Sequence, residues 1–237
     1  MPLDAAPHSL AAAAWVTATR AAFAPLADAE RAVGAQAYMK DVAPFLGIAA
    51  PARRAAQRAA WGPLAPLDPA GVASAALSLW SLPEREYQYA ACELIGRHVP
   101  VLPATFVVDP LRRLVTDKSW WDTVDLLESE AVVPLVKAHP ELVEVMWTWL
   151  ADDDRWLVRT AVQHQRGRRA DTDFARLYAM CDAVARDCEF FVAKAVGWAL
   201  RDACPWDPAG VRAFVDAHPD LPAVARREAV RGLARVA

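Results

Sequence analysis

The sequence predicts an all-α protein built from stacked pairs of helices, and three observations indicate this fold class. The composition is 55% hydrophobic with only 9 glycines among 237 residues, which suits helices better than sheets. Apolar residues recur at helical spacing, without sustained strand-like alternation. Aromatic residues that open amphipathic runs repeat with a period in the mid-thirties. A period of this length is typical of helical repeat proteins, in which each helix pair stacks on its neighbours.

The repeat is visible in four similar segments, each with a polar or acidic start, an aromatic residue and an amphipathic run. The aromatic residues Tyr87, Trp120, Trp156 and Phe190 are 33, 36 and 34 residues apart. Each segment is predicted to be the second helix of a pair, because helical sequence also precedes it. The predicted first and second helices are 72–80 with 85–94, 109–115 with 119–128, 141–150 with 154–163, and 174–185 with 189–198.

The two ends of the chain extend the same pattern. Residues 8–60 predict about three helices, the third beginning at a proline after a turn within 46–54, and residues 209–236 supply one more pair. We therefore predict a single domain over residues 1–237. Its fold is a HEAT- or armadillo-like α-solenoid of stacked antiparallel helix pairs, and its second helices form a concave face.

The sequence argues against several classes of protein. There is no run of about 18 uncharged apolar residues, which a membrane span requires, and residues 11–18 lack the basic start of a signal peptide. Neither a nucleophile triad, a phosphate-binding glycine loop nor a metal motif is found, so no metal or cofactor is expected. The four cysteines, at 92, 181, 188 and 204, are predicted to be reduced, buried thiols of a cytoplasmic protein.

The charge distribution favours a polyanionic partner, although the formal net charge is −3. Residues 155–237 carry 14 lysines and arginines against 10 acidic residues. Basic clusters lie at 51–58, with Arg53 and Arg54, at 166–169, with Arg168 and Arg169, and at 226–235. Each cluster alone could be a solvated helix face. On one surface, the three would form a stripe that contacts phosphates.

The stretch KSWWDTVD, residues 118–125, places two indoles beside two carboxylates. At 100° per residue, Trp120 shares a face with Val124 and Leu127 and is predicted to lie in the core. Trp121 and Asp125 share a different face, where an indole beside a carboxylate has no core role. Asp125 could instead form a salt bridge with Arg159.

A second unusual face lies on the helix predicted to begin near Phe190. Lys194, Trp198 and Arg201 recur there at helical spacing. Trp198 could alternatively belong to an apolar stripe with Phe191 and Ala195. Taken together, the two indoles of Trp121 and Trp198, the carboxylate of Asp125 and the surrounding cations would suit a cationic, sugar-phosphate-like target.

The sequence resembles the AlkD family of bacterial DNA alkylation repair glycosylases, helical-repeat proteins that remove N3- and N7-alkylated purines. The motifs K-S-W-W-D-x-V-D (118–125) and K-A-x-G-W-x-L-R (194–201) are the most specific matches. Similar segments follow one another along nearly the whole chain. They are 38–54, 79–91, 115–125, 139–161, 189–202 and 226–230.

The resemblance implies roles for residues of this chain. Trp121, Asp125, Arg159 and Trp198 match lesion-contacting residues of the family, and Tyr38 matches a DNA-contacting tyrosine. Ala49 departs from the pattern, since a larger polar residue is expected there. The expected catalytic residues are Asp125, Trp121 and Trp198, and the expected DNA-binding residues are Arg159, Tyr38, Lys194, Lys118, Arg168, Arg169, Arg53 and Arg54.

The implied activity is hydrolysis of the N-glycosidic bond of cationic alkylpurines in double-stranded DNA, without base flipping and without a cofactor. The expected protein is a monomer in the bacterial cytoplasm that works at the nucleoid. Two other hypotheses remain open: a non-catalytic binder of damaged or branched DNA, and a protein-interaction scaffold. The scaffold explains the repeats but not the pairing of Trp121 with Asp125.

Overall fold

The computed structural model describes residues 10–236, and every regular element in that range is helical. The chain divides into two compact units, one ending at Leu126 and the other beginning at Leu127. The prediction of an all-α, solenoid-like fold is confirmed, while the prediction of a single domain stays a prediction.

The helices of the first unit match the predicted order. They are α1 (Leu10–Phe23), α2 (Ala29–Tyr38), α3 (Ala50–Trp61), α4 (Pro69–Ser81), α5 (Arg85–His98), α6 (Arg112–Thr116) and α7 (Trp121–Leu127), whose last residue belongs to the second unit. The predicted second helices at 85 and 119 correspond to α5 and α7. A π-helical segment, Val107–Leu111, leads into α6.

The second unit continues the series of pairs. Its helices are α8 (Val133–Ala138), α9 (Leu142–Leu150), α10 (Arg155–Gln163), α11 (Phe174–Ala183), α12 (Phe190–Ala203), α13 (Pro208–Ala217) and α14 (Ala223–Leu233). A second π-helical segment, Glu128–Val132, joins α7 to α8. The helix that begins at Trp121 therefore continues well beyond residue 128, where the predicted segment ends.

Aspartate side chains cap many of the helix starts. A carboxylate before the first turn accepts backbone N–H groups that have no partner within the helix. The capping residues are Asp28 for α2, Asp68 for α4, Asp154 for α10, Asp173 for α11 and Asp207 for α13. In α4 and α13 a proline follows directly, and its fixed φ suits the first helical position.

The core of the first unit contains tryptophans whose N–H groups are satisfied. Trp15 and Trp61 pack with ring centroids 5.1 Å apart. The indole of Trp61 donates to the hydroxyl of Thr19 at 2.9 Å, and that of Trp15 donates to the carbonyl of Ala65 at 3.1 Å. Large apolar area can therefore be buried without the cost of an unpaired polar group.

In the second unit, α12 packs between α10 and α14. The approach of α12 to α14 depends on Gly197, because a Cβ at this position would lie 2.8 Å from Cα of Ala225 and 2.9 Å from Cβ of Glu228. Cβ atoms do not approach other atoms so closely, so any side chain at 197 would push the two helices apart.

Gly197→Ala is therefore expected to destabilise the protein by about 1–3 kcal/mol through overpacking. Gly34→Ala is the matched control, because Gly34 also lies within a helix and has no atom within 4 Å of an added Cβ. Alanine there should stabilise the protein by up to about 1 kcal/mol, since it favours the helix. Urea unfolding of both variants measures the difference, and equal effects would contradict the close packing.

The cysteines differ in part from the prediction. All four are free, but only Cys92, Cys181 and Cys204 are buried, whereas Cys188 is exposed. Cys188 lies in the connection just before α12, outside any packed helix face, so the prediction that it is buried was wrong.

Among the described residues, 10–236, no single helix is long and apolar enough to cross a membrane. The bent pair Leu10–Leu26 and Ala29–Tyr38 reaches the required length and apolar composition only when its two helices are taken together. Within the same range, no group of three or more His, Cys, Asp or Glu side chains could hold a metal ion.

Candidate functional site

In the first unit, the structure brings three predicted site residues to one place. Trp121 is the first residue of α7, and Asp125 lies one turn later. Both are half-buried. Tyr38 ends α2, is 70% exposed, and meets the Trp121 ring edge-on with centroids 6.5 Å apart. An indole, a carboxylate and a phenol thus form a partly accessible cluster, which we call the Trp121 cluster.

Trp120 is less buried than predicted. Val124 and Leu127 are fully buried, as expected, but Trp120 is only half-buried, like Trp121. The reason is local, because α7 begins at Trp121. Trp120 directly precedes the helix, and its carbonyl accepts the N–H of Val124 at 3.1 Å.

A buried arginine fixes the first turn of α7. Arg85 is fully buried and forms a bidentate ion pair with Asp122, at 2.9 Å from Nε and 2.6 Å from Nη2. The same guanidinium donates to the backbone carbonyl of Lys118 at 2.6 Å and to the hydroxyl of Thr123 at 2.9 Å. Because Asp122 adjoins Trp121, this ion pair anchors the turn of α7 that carries Trp121. Sequence reasoning missed Arg85.

Tyr89 completes the arrangement around Asp122. Its hydroxyl donates to the Asp122 carboxylate at 2.6 Å. Burial raises the pKa of Tyr89, and the negative charge of Asp122 raises it further. The phenol therefore remains a protonated donor, and both Asp122 oxygens are engaged within the protein.

Lys118 has a structural role in this arrangement. Its ammonium donates to the carbonyls of Trp80, Ser81 and Leu82, at the end of α4, at 2.7 to 3.1 Å. These contacts use the three donors that a lysine offers. The residue adopts a left-handed φ of 49°. Non-glycine residues in this region are strained and tend to lie near functional sites.

The first basic cluster is only partly accessible. Arg53 is 3% exposed, pairs with Glu93 at 2.6 Å and donates to Gln57. Arg54 also contacts Glu93, at 3.2 Å, but its side chain is 54% exposed. Arg54 can therefore reach an external phosphate, whereas the contacts of Arg53 are those of a structural residue.

In the second unit, Trp198 lies among four cations. The charged groups of Arg159, Arg166, Lys194 and Arg201 lie 5.1, 5.2, 5.5 and 5.6 Å from its ring. All four distances are within the range of cation–π attraction. Trp198 is half-buried, so the alternative of a purely core residue does not hold.

Two of these cations are held from behind by one carboxylate. Glu228 on α14 is 6% exposed; it accepts from Lys194 at 2.7 Å and also from Arg201. Burial alone would raise the pKa of Glu228. The hydrogen bond from Lys194 and the charges of Arg201, Lys194 and Arg231 outweigh it and lower the pKa. Glu228 therefore stays ionised and keeps Lys194 and Arg201 beside Trp198.

The other predicted arginines of the second unit differ in accessibility. Arg159 is 1% exposed and donates to the carbonyl of Phe191 at 2.8 Å. Arg168 is half-buried, and burial together with the charge of Arg176 lowers its pKa. Arg169 is exposed, with a left-handed φ of 58°. Only Arg169 of the three is readily available to a large external anion.

Comparisons with known proteins identify the family of this chain and a solved structure with a similar fold. No curated protein sequence matches the chain. A solved structure described as a predicted DNA alkylation repair enzyme from Enterococcus faecalis is similar, with a TM-score of 0.81 and 27% identity. The match covers 88% of this chain and 97% of the other. The family model for DNA alkylation repair enzymes matches residues 19–233. Because this family model spans most of the chain, the chain belongs to the DNA alkylation repair enzyme family.

Proposed function

We propose that the protein is a DNA glycosylase that hydrolyses the N-glycosidic bond of cationic N3- or N7-alkylated purines in duplex DNA, without base flipping. One observation carries the proposal: a carboxylate, Asp125, lies one turn from a half-buried indole, Trp121, beside the exposed Tyr38. The family supports a role in the repair of alkylated DNA. The glycosylase reaction and its substrates are our proposal.

The chemistry of the substrate explains why the Trp121 cluster would suffice to hydrolyse the glycosidic bond without a general acid. Alkylation at N3 or N7 gives the purine a positive charge, so the base is already a good leaving group. As the glycosidic bond breaks, positive charge develops on the deoxyribose. Asp125 would stabilise that charge and orient the attacking water. Trp121 and Tyr38 would pack on the sugar and exclude bulk solvent.

The cations of the second unit would hold the DNA strand. Phosphate contacts fix the position of a protein on DNA but carry no sequence information. Lys194 and Arg169 remain proposed phosphate contacts here, together with Arg54 in the first unit. Arg159 and Arg53 are buried and would act by supporting their neighbours. Trp198 remains a proposed contact to the lesion, as the family resemblance implies.

The test is single-turnover release of bases from otherwise identical duplexes that each carry one lesion. N7-methylguanine and N3-methyladenine should be released, and larger N3 or N7 substituents should be tolerated because the base need not enter a pocket. Uracil and hypoxanthine should remain, since their neutral forms are poor leaving groups and no histidine belongs to the Trp121 cluster that could protonate them. Tight binding of alkylated duplex without release would instead favour the non-catalytic binder, and absence of any DNA binding would favour the scaffold.

A further inference from the structure

Helix α2, whose last residue belongs to the Trp121 cluster, lies on the first unit without burying a side chain of its own. The structure describes all ten residues of α2, and none of them is buried. A cavity of about 340 Å³, lined by Gly34 and Ala35 of α2 and by Glu86 of α5, lies between the two helices. The position of α2 therefore depends mainly on contacts at its two ends.

The two ends of α2 are held in different ways. Beyond its last residue, Met39 is buried. At its start, the N–H of Asp28 donates to the carbonyl of Leu46 at 2.8 Å. Gly47 lies against the same turn, since a Cβ at this position would lie 2.6 Å from the amide nitrogen of Ala32. The loop that carries Leu46 and Gly47 therefore supports the start of α2.

This loop is itself bound by one buried carboxylate. Glu86 on α5 is 2% exposed. One of its oxygens accepts the N–H groups of Gly47 at 2.8 Å and Ile48 at 3.1 Å, and the other accepts that of Leu46 at 2.9 Å. Three successive N–H groups, with Gly47 at a left-handed φ of 81°, form a concave donor site for an anion. We call residues 46–48 the Glu86 loop.

Glu86 lies next to the arginine that fixes the other side of the Trp121 cluster. Arg85 binds the start of α7, which carries Trp121. Its own N–H donates to the carbonyl of Pro44 at 2.9 Å, just before the Glu86 loop. The rings of Tyr38 and Trp121 meet edge-on, at an angle of 83°. The first turn of α5 therefore contacts the supports of both rings.

We propose that Glu86 is a positioning residue of the Trp121 cluster: by holding the Glu86 loop it sets the tilt of α2, and so the angle at which Tyr38 meets Trp121. Without Glu86 the start of α2 loses its support, while Met39 still holds its end. The helix then turns about Met39, and the adjacent Tyr38 ring turns with it. Functional groups must stay within about 10–20° of their productive orientation. The effect on base release rests on the proposed function, whereas the effect on the Tyr38 ring does not.

The first experiment observes Tyr38 without DNA. The chain has four tyrosines, so fluorotyrosine labelling gives few fluorine NMR resonances, and Tyr38→Phe identifies the one from residue 38. In Glu86→Gln, an amide group replaces an oxygen that accepts a loop N–H, so one donor faces another. The Tyr38 resonance should shift by more than its linewidth, because its orientation to the Trp121 ring changes. The resonance of Tyr178, in the second unit, should stay unchanged.

Glu84→Gln is the matched control for the loss of a carboxylate at the start of α5. Glu84 precedes the helix and makes no capping hydrogen bond through its side chain. The Tyr38 resonance should therefore keep its wild-type position in this variant. A shift equal to that of Glu86→Gln would show that the total charge of the helix start is responsible, and would overturn the proposal.

Gly47→Ala disturbs the same support from the side of the loop. The left-handed φ and the contact with Ala32 leave no room for a Cβ, so alanine should push the Glu86 loop away from α2. The Tyr38 resonance should shift here too, although Glu86 is intact. Melting curves show which variants are folded, and if Glu86→Gln is not, Gly47→Ala decides the test. An unchanged Tyr38 resonance in the deciding variant overturns the proposal.

The second experiment measures single-turnover release of N7-methylguanine at saturating enzyme. Glu86→Gln should slow release about tenfold, because misaligned groups lose rate steeply. Duplex affinity should stay within about threefold, because phosphate contacts outside the cluster remain. In the Tyr38→Ala background, Glu86→Gln should slow release little further, since both changes remove the same aligned ring. An unchanged rate in Glu86→Gln, or losses that multiply in the double variant, would overturn the proposal.

The two experiments separate this inference from the glycosylase proposal. If the wild type releases no base but the Tyr38 resonance shifts in Glu86→Gln, the glycosylase is rejected and the role of Glu86 in orienting Tyr38 is retained. If the wild type releases the base while Glu86→Gln changes neither the resonance nor the rate, the role of Glu86 is rejected and the glycosylase is retained.

Discussion

Asp125→Asn is expected to slow release of N7-methylguanine by about 10²-fold or more, which corresponds to about 2.7 kcal/mol of lost transition-state stabilisation. The substitution keeps the shape of the side chain but removes the charge proposed to stabilise the sugar cation. Single-turnover kinetics at saturating enzyme separate this loss from any change in DNA affinity. A melting curve for the variant confirms that the molecules assayed are folded.

Asp117→Asn is the matched control for the loss of a carboxylate. Asp117 is exposed, lies four residues before Trp121, and is not part of the Trp121 cluster. The Asp117→Asn variant should release N7-methylguanine at a rate within about twofold of the wild type, because exposed surface substitutions have small effects. If both variants lost the same fraction of the release rate, the total negative charge of this segment would be responsible. Asp125 would then have no specific catalytic role.

Arg85→Met is expected to have the largest effect on folding, a loss of about 3–5 kcal/mol in the free energy of unfolding. The substitution leaves the carboxylate of Asp122, whose side chain is 6% exposed, without its bidentate partner. It also frees the carbonyl of Lys118 and the hydroxyl of Thr123. Urea unfolding followed by circular dichroism measures the change.

A double variant tests the physical reason. Arg85→Met/Asp122→Leu removes both charges, so no buried carboxylate is left unpaired. It should recover part of the loss caused by Arg85→Met alone, since replacing both partners of a buried ion pair costs less than removing one. Additive losses in the double variant would show that the cost comes from packing and not from an orphaned charge.

Much of the fold could be predicted because it depends on local signals. The spacing of apolar residues predicted the helix pairs, and the aromatic repeat predicted the second helices α5, α7, α10 and α12. The aspartate and proline residues that begin α4 and α13 are also local signals, since they lie within the helix start that they stabilise. The burial of Trp120 was overestimated because one residue decides whether it lies inside or before α7, and helix boundaries are the least certain part of such a prediction.

The site could be predicted only in part. Motif spacing placed Trp121 and Asp125 one turn apart, which α7 confirms. The sequence treated Arg53 and Arg54 as equivalent, yet Glu93 and Gln57 bury one of them while the other stays exposed. Neighbouring residues on a helix point in different directions, and only the packing of a second helix decides which of them is covered.

The sequence by itself determined that the chain is helical, that the helices come in pairs, and which indole and carboxylate share a face of α7. These properties depend on residues within a few turns of one another. Tertiary structure alone decided that Arg85 fixes the start of α7, and that Glu228 and Gly197 bring α14 against the helix carrying Trp198. It also gathered arginines distant in sequence around the ring of Trp198. The physical reason is that burial and charge depend on contacts between distant segments, which no local pattern records.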